Sequence, residues 1–402
     1  MKTSAPAGDA GRTFTGELRF YWRHFHVVHF ILVAVSPSLI VFGIQQVTLN
    51  WKTALWSVIC YFIYSVAITA GYHRLWCHRS YRASPPLRYV LAALGAGQFQ
   101  WSIIWWTRHH RAHHRYLDTD NDPYNARRGL FYSHVGWLIG YNPEMWGSVD
   151  ISDVVNDQVA VWQRQYYPIL AVVIGLLLPS AVAQIGWNDW QGGFVYAGLT
   201  RAYLYGQTTM LVNSLAHWRG GQSFSTTNSA RDNLFVALLT SGEGYHNFHH
   251  RFPSDYRNGV HWYSFDPSKW LIWSCARLGL ASGLTRSPDR EIERAILDVQ
   301  RQQSADSNAG ALKRRPSSSV GHHPFPTMDL TEYERQTRTG RCLIIIAGYV
   351  CDVTDFIHRH PGGQWFLQEA IGGDASVAFD SVGHSEEAQE MVRSMQIASV
   401  HG

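Results

Sequence analysis

His110-Arg-Ala-His113-His114 and, further along, His246-Asn-Phe-His249-His250 are the stretches on which the reading of this chain turns. On a helix, side chains three and four positions apart share a face, so each stretch can present three imidazoles to one pocket. Around them lie His73-Arg-Leu-Trp-Cys-His78 and Asn213-Ser-Leu-Ala-His217. Five residues turn an α-helix by about 500°, or roughly 140° net, so His73 and His78 are expected to straddle a helix end or to serve two different ions. The set of nine His and one Asn is rich in imidazole and poor in oxygen, which suits Fe, Cu or Zn and excludes Mg and Ca. A closed zinc site needs only about four ligands, so the count favours two metals, and two irons fit best. Stacked imidazoles gain little in packing, which weighs against the bland alternative of surface histidine runs. The remaining histidines His24, His26, His29, His109, His134, His261, His322 and His323 are left as ordinary residues.

Outward from these clusters the chain is apolar. Only 16% of its 402 residues are charged, and Trp, Tyr and Phe number 17, 20 and 18, a composition that points to a membrane. Four stretches approach the roughly 20 residues needed to span a bilayer: Val27–Val47, Ala54–Tyr72, Pro168–Trp187 and Gly193–Ala216. Short polar turns at 50–52 and 188–192 make them two hairpins opening to one side. Arg12, Arg19 and Arg23 and the Arg-rich connecting loop put that side, and both termini, in the cytosol. The run Leu87–Trp106, interrupted by Gly95 and Gly97, is expected as a helix at the interface rather than a fifth span. Five cysteines without a CxxC pair suit a reducing compartment. No cleaved signal is evident in residues 1–16, and the net charge of +4 is uninformative. Nothing suggests nucleic acid as a partner.

In this order and with these intervals, HRLWCH, HRAHH, NSLAH and GEGYHNFHH resemble the membrane acyl-CoA Δ9-desaturases, the stearoyl-CoA desaturase family, over about residues 20–287. Asp122-Pro-Tyr-Asn-Ala-Arg-Arg-Gly129, Ser133-His-Val-Gly-Trp137 and Phe265-Asp-Pro-Ser-Lys-Trp270 add to the likeness. The resemblance implies a di-iron centre held by His73, His78, His110, His113, His114, His217, His246, His249 and His250, with Asn213 holding a metal-bound water. It places Gln100, Trp106 and Thr209 at the bend of an acyl tunnel, Tyr61 and Ser65 near its closed end, and Arg108 at the CoA head group, with Arg127 and Arg128 as weaker candidates. The sequence departs from the family at His109, where many relatives carry an acid, and at Trp101, where they carry a smaller or polar residue.

After a helical pattern at 289–302, residues 303–326 turn polar and rich in Ser, Ala and Pro, as a linker does. Beyond it stand the strand Leu343–Ala347, Val350-Cys-Asp-Val-Thr354, His360-Pro-Gly-Gly363 and His384. Two histidines flanking a helix pair can clamp a planar haem from opposite faces, and the segment resembles cytochrome b5 over about 328–400. Fungal desaturases that carry their electron donor in cis share this arrangement, and a tether keeps the donor at high effective concentration.

The expected protein is mainly α: four transmembrane helices, a cytosolic helical cap around two irons, and a small α+β cytochrome b5-like domain with haem b on His360 and His384. Expected borders are 1–22 (N-terminal segment), 23–287 (desaturase), 288–326 (helix and linker) and 327–402 (haem domain). The resemblance implies fatty acyl-CoA and O2 as substrates, NADH-cytochrome b5 reductase as electron source and the endoplasmic reticulum membrane as location. Competing readings are a desaturase or hydroxylase of another lipid, though hydroxylases of that type space their His differently, and an inactive haem-bearing scaffold, which the complete ligand set opposes.

Overall fold

The computed structural model describes residues 14–314, 326–360, 364–376, 378–379 and 386–401. They form two compact units that meet in sequence at Ser307 and Asn308.

The first unit is helical. After α1 (Phe14–Arg23) come α2 (Val27–Gln46) and α3 (Trp51–Cys77). The polar turn between them ends at Asn50, whose side chain accepts a hydrogen bond from the Lys52 amide at 2.9 Å and so caps α3. Next follow α4 (Pro85–Ala96) and α5 (Ile103–Tyr116). Then come α6 (Gln158–Trp187), capped by Asp157, and α7 (190–213). Leu39, Phe42, Leu55, Ile169 and Ile185 point outward and are exposed, as lipid-facing side chains are. Among the described residues three helices, α2, α3 and α6, are long and apolar enough to cross a membrane.

The fourth expected span is helical but interrupted in composition by Arg201. That guanidinium is buried and donates to Gly97 O at 3.2 Å and Gly175 O at 2.7 Å, and to Gln98 Oε1, while lying 4.0 Å from the Tyr64 ring centroid. Gly97 and Gly175 meet backbone to backbone, and a Cβ on Gly175 would stand 2.7 Å from Gly97 O. The expected interfacial helix is in fact two helices, α4 and α5, separated by a turn at 97–102. Phe99 and Trp101 there adopt positive φ values of 59° and 66°, rare for large side chains and characteristic of functional turns.

Three short helices complete the unit's cap: α8 (Leu234–Leu239), α9 (His246–Arg251) and α10 (Pro267–Arg277). Strands β1 (Arg82–Ala83) and β2 (Ala281–Ser282) tie the cap to the end of α3 as an antiparallel pair. Helix α11 (Asp289–Arg314) runs past the expected start of the linker at 303; the remainder, 315–325, lies outside the described residues.

The second unit is a sheet of β3 (Thr327–Asp329), β4 (Leu343–Ile346), β5 (Tyr349–Asp352) and β6 (Gln396–His401) in the order β3-β6-β5-β4, with β3 parallel to β6 and the other pairs antiparallel. Leu343, Ile345, Val350 and Ala398 pack with Tyr333 of α12 (Leu330–Arg338). Ile344, Ile346, Cys351 and Val353 pack with Leu367 of α13 (Gln364–Ala370) and Val392 of α14 (Glu386–Met395).

Candidate metal centre

All nine predicted histidines converge, in two groups. His73, His78, His110, His114 and His249 form one, and His113, His217, His246 and His250 the other; within each, the ligating atoms lie within 4.8 Å of one another. The groups adjoin, the rings of His114 and His250 stacking at 4.2 Å.

This distribution corrects two expectations. Each HxxHH stretch serves both groups rather than one pocket: the i, i+4 pair His110 and His114 faces one way and His113 the other. On α9 the pair His246 and His250 faces the second group and His249 the first. His73 and His78, expected to diverge, share a group because 67–77 is wound as a π-helix and the His78 amide donates to His73 O at 3.0 Å. An i→i+5 ladder stacks residues five apart, much as an α-helix stacks those four apart, and such segments are frequent at functional sites.

The inward-facing Nε2 atoms lie 2.9–3.2 Å from their neighbours: His73 to His249, His78 to His110, His110 to His114, His114 to His249, His217 to His246 and His246 to His250. Two nitrogens each about 2.0–2.1 Å from one metal ion and at right angles to each other are separated by about 2.9 Å. The spacing therefore fits shared metal ions. His113 Nε2 is buried without a hydrogen-bond partner among the described residues, as an inward lone pair awaiting a ligand would be. Burial first, and then neighbouring imidazoles, push His78, His110, His114, His217, His246, His249 and His250 well below the ordinary histidine pKa. Neutral rings keep the lone pair that a metal needs.

Behind the rings stands a layer that sequence reasoning missed. His73 Nδ1 is 2.6 Å from Glu243 Oε2, and Arg74 contacts Glu243 and Asp266. His113 Nδ1 donates to Asp122 Oδ1 at 2.9 Å, and His217 Nδ1 donates to Ser229 Oγ at 2.8 Å, which donates in turn to Asp118. The available signals were acids inside motifs already singled out, Glu243 in GEGYHNFHH and Asp122 at the head of DPYNARRG.

Next to the centre lies an apolar cavity of about 300 Å³ whose lining includes His110, Asn213, Gln100, Trp106 and Thr209. Gln100 Nε2 donates to Thr209 Oγ1 at 2.9 Å. Tyr61 and Ser65 do not line it: the Tyr61 hydroxyl donates to Leu239 O, and Ser65, fully buried, pairs with the Ser241 hydroxyl at 2.7 Å. Arg108 and Arg127 are exposed, and Arg128 lies 3.6 Å from the Tyr132 ring centroid. Trp101 belongs to the cavity wall. His109 is buried, stacks on Trp105 at 4.0 Å and meets Trp146 edge-on at 4.7 Å; burial pushes its pKa down to about 3. In the second unit His360 packs near Phe356, at 5.9 Å between rings, whereas Pro361–Gly363 and His384 lie outside the described residues.

A "Fatty acid desaturase" family profile matches residues 48–281, and a "Cytochrome b5-like Heme/Steroid binding domain" profile matches 329–401. Over 385 residues the chain is 41% identical to a "Probable acyl-CoA desaturase" of Schizosaccharomyces pombe, covering 95% of this chain and 79% of that one. Identity to "Acyl-CoA desaturase 1" of Saccharomyces cerevisiae is 38% over 388 residues, 95% and 75% of the respective chains. "Delta(9)-fatty-acid desaturase fat-7" of Caenorhabditis elegans is 35% identical over 287 residues, 70% and 83%.

Proposed function

The chain belongs to the fatty acid desaturase family, and from that premise we propose that it is an acyl-CoA Δ9-desaturase acting on palmitoyl- and stearoyl-CoA. It would consume O2 and draw electrons through its own cytochrome b5-like domain. The observation that carries this reading is the convergence of nine neutral imidazoles beside an apolar cavity. Two irons held by the five-His and four-His groups would supply the dioxygen-derived oxidant that an unactivated alkyl C–H bond demands.

The protein's own contribution is position and dryness. Trp101, Trp105, Trp106 and Trp137 wall the cavity and exclude water. The Gln100–Thr209 hydrogen bond ties the 97–102 turn to α7, so an acyl chain bending past it keeps a fixed carbon beside His110 and Asn213. Tyr61 and Ser65 lie near the closed end and limit chain length, while Arg108 on the exposed face of α5 meets the CoA phosphates. Helix α7 serves as the fourth crossing, its Arg201 charge spread over backbone carbonyls and the Tyr64 ring. Haem b is held by His360 and His384, reduced by NADH-cytochrome b5 reductase, with the termini and both His groups on the cytosolic side of the endoplasmic reticulum. Working borders are 1–22, 23–287, 288–326 and 327–402.

The test is expression in cells that lack unsaturated fatty acids, with mass-spectrometric location of new double bonds. Growth rescue and a cis bond at carbon 9 are expected. Absence of new unsaturation in oxygenated, iron-replete cells refutes the proposal.

A further inference from the structure

The two imidazole groups differ in what stands behind them. In the five-membered group the buried carboxylate is Glu243, beside His73, and its charge is met by Arg74 at 3.0 Å and by the Asn258 amide at 2.9 Å. In the four-membered group two carboxylates act. Asp122 Oδ1 accepts from His113 Nδ1 and from the Tyr124 amide, both at 2.9 Å. Asp118 accepts from the hydroxyl and, at 2.8 Å, from the amide of Ser229, whose Oγ in turn receives His217 Nδ1–H. Asp122 Oδ2 also accepts the Asp118 amide at 3.2 Å, so both carboxylates sit on one loop. Both are buried, and among the described residues neither is paired with Lys or Arg.

A carboxylate on the far nitrogen fixes the ring's tautomer and orientation and raises the basicity of the metal-facing nitrogen; losing one typically costs about 10–100-fold in metal affinity. Two negative charges left uncompensated by cations also favour a bound cation directly. We propose that Asp118 and Asp122 are positioning residues dedicated to the four-histidine group: they offset its smaller ligand count with charge, and removing them empties that group while leaving the five-histidine group filled.

The inference rests on the two-metal reading above, and one experiment separates their failures. Full-length protein is purified in detergent with its haem, and iron outside the haem is counted per haem by elemental analysis, during dialysis against a graded chelator. Wild type retains two ions; a wild-type value of one or none sinks the two-metal reading itself. Asp122→Asn and, separately, Ser229→Ala, which cuts the Asp118 relay without touching a charge, are expected to release one ion at about 10–100-fold lower chelator strength than wild type. The second ion should be retained as in wild type. Glu243→Gln serves as the contrast and should release the other ion, so that Asp122→Asn and Glu243→Gln together leave none. A purely structural role would loosen both ions in parallel with the thermal midpoint. Retention of both ions by Asp122→Asn and Ser229→Ala, or their simultaneous loss, overturns the assignment.

Discussion

Arg201→Met is the most exacting perturbation the fold offers, because it replaces a buried intramembrane cation by an apolar side chain of similar length. Two of the guanidinium's acceptors, Gly97 O and Gly175 O, lie on other helices, at a turn and in a π-helical segment respectively. A buried carbonyl left without a donor costs about 1–3 kcal/mol, and the contact with the Tyr64 ring adds about 0.5–2 kcal/mol. Against this stands the relief of no longer burying a charge, worth several kcal/mol. The net expectation is a loss of about 3 kcal/mol, within the range seen when one partner leaves a buried polar network. A local consequence should accompany it. Gln98 loses its partner beside Phe99, Gln100 and Trp101, which form the cavity wall, so the position at which a substrate chain bends becomes less sharply defined. The assays are thermal unfolding in detergent, followed by a probe in the helical unit, and location of the double bond in cellular lipids. A midpoint within a degree of wild type together with a single product isomer refutes the reasoning.

Ser65→Leu inserts bulk where the hydroxyl meets Ser241; product lipids should shift toward shorter acyl chains, and an unchanged chain-length profile removes the measuring role of this position. His109→Asp places a carboxylate among Trp105, Trp137 and Trp146 and should cost about 3 kcal/mol, read as a lowered unfolding midpoint; equal stability would mean that water or a cation reaches the site. Although burial opposes ionisation of Asp153, its hydrogen bonds to Arg111 and Arg79 prevail and lower its pKa. Its stabilising contribution is therefore complete above the ordinary carboxylate range, near pH 4, and lost as pH falls through the depressed value. The midpoint difference between wild type and Asp153→Asn should stay constant from pH 8 to 5 and shrink below 4; a difference that grows on acidification contradicts the pairing. Chelation at neutral pH should lower the midpoint of the helical unit and leave the haem absorbance unchanged, with recovery on adding ferrous iron.

The ligand set was readable from the sequence because each histidine lies in a short motif whose spacing is meaningful on a helix. Its partition was not, since an α-helical period was applied to 67–77, where the backbone follows a π-helical ladder. Arg201 hid in an apolar stretch, and only the fold reveals the two glycine carbonyls that receive it. The break at 97–102 was foreshadowed by Gly95 and Gly97, yet the residues that take the left-handed conformation are Phe99 and Trp101, which no propensity would select. Asp118 and Ser229 are more than a hundred positions apart and meet only through folding. The sheet of the second unit was legible in outline from alternating apolar residues in 343–353.

Helices α5 and α9 each give ligands to both groups, and this makes the centre indivisible in assembly. A register slip of one residue in either helix would misalign both coordination spheres at once, and no half of the site can be completed while the other waits. The two positions are yoked: a chain that has closed around one ion has thereby already shaped the seat of its neighbour.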